Sequence, residues 1–251
     1  MQNEKFSFVV KRYPTRAAMG AAAAEEAAEV IRELLAKKDE INMIFAAAPS
    51  QNEFLEALVK APGIDFTRIN AYHMDEYVGL DDDAPQRFGN FLKDHIFGLA
   101  PFKSVNYIQG NAEDIDAECE RYSKLLRDNP TDIVCMGIGE NGHIAFNDPH
   151  VADLKDPVLV KKVSLDEVCR MQQVHDGCFA SLDLVPKYAL TLTVPALVNA
   201  DYHFCIVPAA SKANAVRETV YGPIGEKCPA TSLRTCEHAV LYVDQDSGAQ
   251  L

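Results

Sequence analysis

Short apolar runs recur along the chain, and most are followed by a longer stretch of helical periodicity. Residues 6–13 alternate weakly and predict a first strand. Pro14-Thr15 then opens an Ala-rich helix to Lys37, acidic in its middle and basic at its end, as the helix dipole favours. Residues 41–46 are apolar enough for a buried second strand. They feed a loop of small residues, Ala47-Ala48-Pro49-Ser50-Gln51, where Ser50 and Glu53 have the spacing of a capping box. A third strand spans 66 to about 73 and leaves Asp75 and Glu76 at its carboxyl end. Residues 85–97 place Phe88, Phe91, Leu92, His95 and Ile96 on one helical side, and 114–127 form another helix. Strands at 132–136, within 185–195, at 203–207 and at 239–243, with a short helix from Pro195 and another over 208–220, complete the alternation. Only 151–185 interrupts it: this segment is polar, broken by Pro157, and helix-like over 165–174. Such a stretch beside a site is a candidate lid. Alternating strands and helices, with no internal repeat or linker, predict one α/β domain over 1–251. It has three layers around a mainly parallel, doubly wound (Rossmann-like) sheet.

The strand at 132–136 runs straight into Gly137-Ile138-Gly139-Glu140-Asn141-Gly142-His143-Ile144-Ala145-Phe146-Asn147-Asp148-Pro149. Three glycines in six residues allow positive φ or close approach of a ligand to the backbone. In an open α/β sheet, ligands bind outside the carboxyl ends of strands, so the titratable groups of this loop are candidates for chemistry. The glycine spacing matches a dinucleotide fingerprint, but the loop sits mid-chain rather than in the first βα unit, which argues against a nucleotide. The amides at the start of the helix after Ser50 form a potential anion site, and Lys212 stands near another helix start as a point charge for a phosphate.

The 251 residues are 48% hydrophobic and 24% charged, the range of an ordinary globular chain with ample core. A net charge of −13 argues against nucleic acid and against an anionic membrane surface. An anionic ligand therefore needs local positive charge. Seven cysteines form no Cys-x-x-Cys pair and several sit in apolar runs, as buried free thiols do. With no secretory leader and no run long enough to span a bilayer, the expected compartment is the cytoplasm. No metal-ligand spacing appears among the histidines and cysteines.

Three segments together resemble the glucosamine-6-phosphate deaminases (isomerases), whose superfamily also holds the 6-phosphogluconolactonases. They are Met74-Asp75-Glu76-Tyr77-Val78-Gly79-Leu80, the glycine loop 137–149, and Val185-Pro186-Lys187-Tyr188-Ala189-Leu190-Thr191. The Met-Asp-Glu-Tyr run and the Phe-Asn-Asp-Pro tail look like the deaminases. The resemblance implies conversion of glucosamine 6-phosphate, or a close analogue, to fructose 6-phosphate and ammonia without metal or cofactor. It implies His143 moving a proton at the ring oxygen, and Asp75 carrying the C2 proton to C1, with Asn141 and Asp148 supporting the imidazole. Ala47, Ala48, Ser50, Gln51, Glu76, Gly137 and Gly139 would line the sugar, and Lys212 would hold the phosphate. The partner is thus a phosphorylated (amino) sugar, and a homo-oligomer is compatible with the sequence. The chain departs from the family pattern at Asn141 (usually Asp), at Asp148 (usually Glu), at Ala48 (usually Ser or Thr), and in lacking a clear counterpart to a lid arginine. The alternatives are a non-deaminating sugar-phosphate isomerase, a lactonase and a non-catalytic sugar-phosphate sensor.

Overall fold

Six of the apolar runs become parallel strands, and a short segment that the sequence pattern did not mark, Ser104–Asn106, adds a seventh at the edge of the same sheet. Helical crossovers leave both sheet faces covered. A computed structural model describes residues 7–251; residue 6, the expected start of the first strand, lies outside the described residues. In chain order the elements are β1 (Ser7–Arg12), α1 (Arg16–Leu35), β2 (Ile41–Phe45), α2 (Asn52–Lys60), β3 (Ile69–His73), β4 (Asp75–Tyr77), α3 (Phe88–Leu92), β5 (Ser104–Asn106), α4 (Ile115–Asp128), β6 (Ile133–Met136), β7 (Val160–Ser164), α5 (Glu167–His175), β8 (Tyr188–Leu192), α6 (Val194–Val198), β9 (Tyr202–Val207), α7 (Ala213–Tyr221) and β10 (His238–Val243). The large sheet runs β1-β10-β9-β6-β2-β3-β5. Its order reverses between β2 and β6, so the switch-point crevice opens where residues 46–51 and 137–143 leave the sheet.

The long first helix forms as its caps predict. Thr15 accepts the Ala18 N–H at 3.1 Å, and Ala23, Ala24, Ala27 and Ala28 are buried between the sheet and α2. Gly20 lets the two helices touch, since a Cβ there would lie 2.7 Å from that of Glu53. The expected capping box is absent. Ser50 sits in a 3-10 turn over Pro49–Gln51, and Glu53 instead pairs with Arg16 at 2.6 Å. The helix expected over 85–97 is α3 followed by a π turn, Lys93–Phe97, with Phe88, Leu92 and Ile96 buried as its periodicity requires.

A second sheet, β4-β8-β7, is antiparallel. Asp75 and Glu76 therefore do not merely trail from β3. They form a short strand registered on β8, with Asp75 opposite Thr191. Part of the candidate lid also belongs here: Val160–Ser164 pairs along the whole of β8. Its sequence, Val-Lys-Lys-Val-Ser, buries only the two valines, so it does not read as a core strand.

Candidate active site

The site grows from four strand ends. β2 ends at Phe45, and the chain passes through Ala46, Ala47 and Ala48 into the 3-10 turn, which brings Ser50 and Gln51 to the crevice. β6 ends at Met136 and delivers the glycine loop. β9 ends at Val207, and the next residues bring Lys212 in from the other side. Ala209 takes φ 84°, ψ 147°, a region normally left to glycine, and its N–H is held by Asp244 at 3.0 Å. β3 ends at His73 and delivers Met74 and Asp75. Together these segments line a cleft of about 520 Å³ that also receives Gln172 and Gln173 from α5.

Asp75 and His143, 68 positions apart, face this one cleft with Lys212. Asp75 is 6% exposed. Burial, reinforced by neighbouring Glu76, pushes its carboxyl well above the ordinary range. Its backbone is aimed by His73, whose Nδ1–H donates to the Asp75 carbonyl at 2.9 Å while Nε2 accepts the Ile108 N–H at 2.9 Å. Burial lowers His73 to about 4, so this imidazole is a neutral strut.

His143 lies directly on Gly139: a Cβ at residue 139 would fall 2.0 to 2.3 Å from three ring atoms. The ring nitrogen Nδ1 meets two acceptors, Asn141 Oδ1 at 2.7 Å and Asp148 Oδ1 at 3.0 Å. It therefore carries the proton, and Nε2 presents a lone pair to the cleft. Asp148 is fully buried. Burial would raise its carboxyl, but hydrogen bonds from His143, Asn141 and the Asp166 N–H hold it below the ordinary value. Of the three loop glycines only Gly142 uses positive φ, at 83°. Gly137 provides room instead, against Gln51 Nε2.

The tail of this loop is tied to β8. Thr191 Oγ1 accepts the Phe146 N–H at 3.0 Å, and Asn147 Nδ2 donates to the Leu192 carbonyl at 2.8 Å. Since Asp75 also pairs with Thr191, one strand anchors both Asp75 and the tail of the loop that carries His143.

Lys212 is 4% exposed. Burial lowers its ammonium from the ordinary value; Asp176 and Glu140 counter this without closing an ion pair among the described residues. Ala47, Ala48, Ser50, Gln51, Gly137 and Gly139 line the cleft. Asn141 and Asp148 stand behind His143 rather than in the cleft wall. Glu76 departs from expectation. Its carboxylate turns away from the cleft and accepts the Phe88 and Gly89 N–H groups at 3.0 and 2.9 Å, capping α3. Sequence spacing gave no metal set, but folding gathers His143, Asp148 and Cys169 with ligand atoms within 4.8 Å of one another. The first two already meet at 3.0 Å, Nδ1 to Oδ1, and the Cys169 thiol is pushed well up by burial. We read this group as a proton relay. Gln172, Gln173 and Asp166 escaped the motif reading; the one signal for them was an Asp immediately before a helical run, the mark of an N-cap.

Comparison with known proteins agrees with this geometry. A family model described as glucosamine-6-phosphate isomerases/6-phosphogluconolactonase matches residues 14–242. A glucosamine-6-phosphate deaminase of Streptococcus pyogenes serotype M1 is 30% identical over 214 residues, 82% of this chain and 86% of that protein. One from Streptococcus pneumoniae (strain 70585) is 32% identical over 219 residues, 87% and 90% of the two chains. The solved structure of a monomeric glucosamine-6-phosphate deaminase superposes with a TM-score of 0.87 at 28% identity, over 97% of this chain and all of the other. A Thermotoga maritima 6-phosphogluconolactonase, 22% identical, shares the fold at a TM-score of 0.76, over 95% of this chain and all of that one. With its central parallel sheet, its switch-point cleft and a family match over almost its whole length, the chain belongs to the glucosamine-6-phosphate isomerase/6-phosphogluconolactonase family.

Proposed function

We propose that the protein is a glucosamine-6-phosphate deaminase. It converts the amino sugar phosphate to fructose 6-phosphate and ammonia. The observation that carries this reading is the convergence of Asp75, His143 and Lys212 on one cleft. The phosphate is held by Lys212, whose buried charge gains a partner when an anion arrives. Ser50, Gln51 and the adjoining backbone face the sugar from the β2 and β6 ends. His143 Nε2 takes the anomeric hydroxyl proton and returns one to the ring oxygen, opening the ring. Asp148 stabilises the transient imidazolium. Asp75 then removes the C2 proton and delivers it to C1, while a proton passes from the amine to the C1 oxygen. This gives a 2-imino sugar, and its hydrolysis consumes one water and releases ammonia.

The raised Asp75 carboxyl favours an amino sugar over a plain hexose phosphate. A base must be ionised, and a substrate ammonium beside Asp75 restores the ionised form that burial opposes. A lactonase would need His143 to activate water and would have no use for a carboxylate in this place. The candidate lid narrows to α5 and residues 176–184, because β7 is locked into the small sheet. The related structure described as monomeric favours a single-chain enzyme over the homo-oligomer left open by the sequence. No helix among the described residues is long and apolar enough to cross a membrane.

The test is incubation with glucosamine 6-phosphate, following ammonia and fructose 6-phosphate together. Asp75→Asn should abolish ammonia release, and Lys212→Ala should mainly raise KM. C2 hydrogen exchange without ammonia would point to a plain isomerase. Turnover of 6-phosphogluconolactone that ignores Asp75→Asn would point to a lactonase, and binding without turnover to a sensor.

A further inference from the structure

The side-chain amide of Asn141 is saturated. Its oxygen accepts the His143 N–H at 3.1 Å and faces Nδ1 at 2.7 Å. Its nitrogen donates to Asp148 Oδ1 at 3.1 Å and to Asp166 Oδ2 at 3.0 Å. The Asp166 N–H in turn donates to Asp148 Oδ2 at 3.1 Å, and Asp166 Oδ1 caps α5 by accepting the Cys169 N–H at 2.6 Å. Each polar atom of the Asn141 amide thus has its partners, and two of those partners are carboxylates. An amide is the side chain of this shape that can donate to both carboxylates while accepting from the imidazole. An aspartate at 141 would offer no donor and would set a third carboxylate against two others.

We infer that Asp166 is a positioning residue of the proton relay, acting through Asn141, so that positions 141 and 166 form a charge-matched pair. Asp166 orients the amide, the amide orients the His143 ring and Asp148, and the ring presents Nε2 to the cleft. The same Asp166 starts α5, which carries Gln172 and Gln173 to the cleft, and Gln172 Oε1 accepts the Glu140 N–H at 2.7 Å. The relay and the helix facing the substrate therefore share one anchor. The other titratable groups around the pair are the Cys169 thiol on α5, close to Asp148, and His150, close to Asp148 and Asp166 at the rim. Asp75 faces Cys169 from β4. The substitutions below leave all three in place. The inference rests on the relay reading given above for its catalytic consequence, but not for its geometry.

The experiment is a double-mutant cycle with Asn141→Asp, Asp166→Asn and the exchanged pair, read by deaminase kinetics and by imidazole ¹⁵N NMR of His143 without substrate. We expect Asn141→Asp to lower kcat/KM by about tenfold or more, and the exchanged pair to recover to within about threefold of the parent. We also expect Asn141→Asp to raise by about one unit the pH at which His143 takes up its second proton, and Asp166→Asn to return it in that background. Asp166→Ser keeps a helix cap but cannot reach Asn141, so it should still shift the NMR titration. Additive effects, with the exchanged pair no better than the product of its singles, would overturn the inference, as would an Asp166→Ser titration identical to the parent. Should the parent release no ammonia, the functional reading fails, and the NMR arm alone still decides the pair.

Discussion

A methyl group at residue 139 would meet the His143 ring at 2.0 Å from one carbon and 2.2 and 2.3 Å from its nitrogens. The ring cannot yield without leaving Asn141 and Asp148, so Gly139→Ala should cut kcat by about a hundredfold, the cost of roughly an ångström of misplacement. Circular dichroism and thermal midpoint should stay near the parent, because residue 139 lies beyond the end of β6. A variant with normal kcat would mean that the ring position is not needed. Asp75 and His143 were legible in the sequence because each sits in a recognisable run at a strand end. The separate duties of the glycines were not: only Gly142 needs its φ, and which glycine makes room for which side chain is decided by contacts across the fold. Glu76 was misplaced for a related reason. Adjacent carboxylates on a strand point to opposite faces, so Asp75 and Glu76 cannot both line one cleft.

Among the elements, the corner between β3 and β4 depends on His73. Its folded value of about 4 lies below that of an unfolded histidine, so between roughly pH 6.5 and 4 the unfolded chain binds the extra proton. The strut thus stabilises fully above that window and loses its contribution as pH falls through it, by up to roughly 3 kcal/mol. Asp75 and Glu76, whose carboxyls are raised by burial, act in the opposite sense, so the comparison must be with a variant. His73→Gln should be less stable at pH 7 by about 1–3 kcal/mol. The gap should close by pH 5 in urea midpoints; a gap independent of pH would show that His73 contributes no titration. The central parallel strands were readable because burial on both faces leaves continuous apolar runs; the edge strand β5, three half-buried residues, escaped for want of such a run. The small sheet was not, since β4 has three residues, two of them acidic, and β7 shows solvent its lysines. The segment matched around Tyr188–Leu192 now has a reason for its sequence: Thr191 faces Asp75 and holds Phe146.

Across the whole molecule, a net charge of −13 opposes an anionic substrate until it reaches Lys212. Raising ionic strength from about 0.01 to 0.15 M shortens the screening length from about 30 to 8 Å. That screens the outer repulsion more than the contact with the buried ammonium, so the association rate for glucosamine 6-phosphate should rise over this range in stopped-flow measurements. A rate that falls would mean that local positive charge already governs approach. The chain also divides labour between its two sheets. On the proposed function, the ends of β2, β6 and β9 would grip the ligand, while β8 would space the acid–base partners like a fixed ruler. Swapping the loops that follow β2 or β9 could therefore retune which phosphorylated sugar enters without disturbing the reacting groups. Insertions along β8 would throw Asp75 and the imidazole out of register at once, and laboratory evolution of new substrates should accept changes in the former and reject them in the latter.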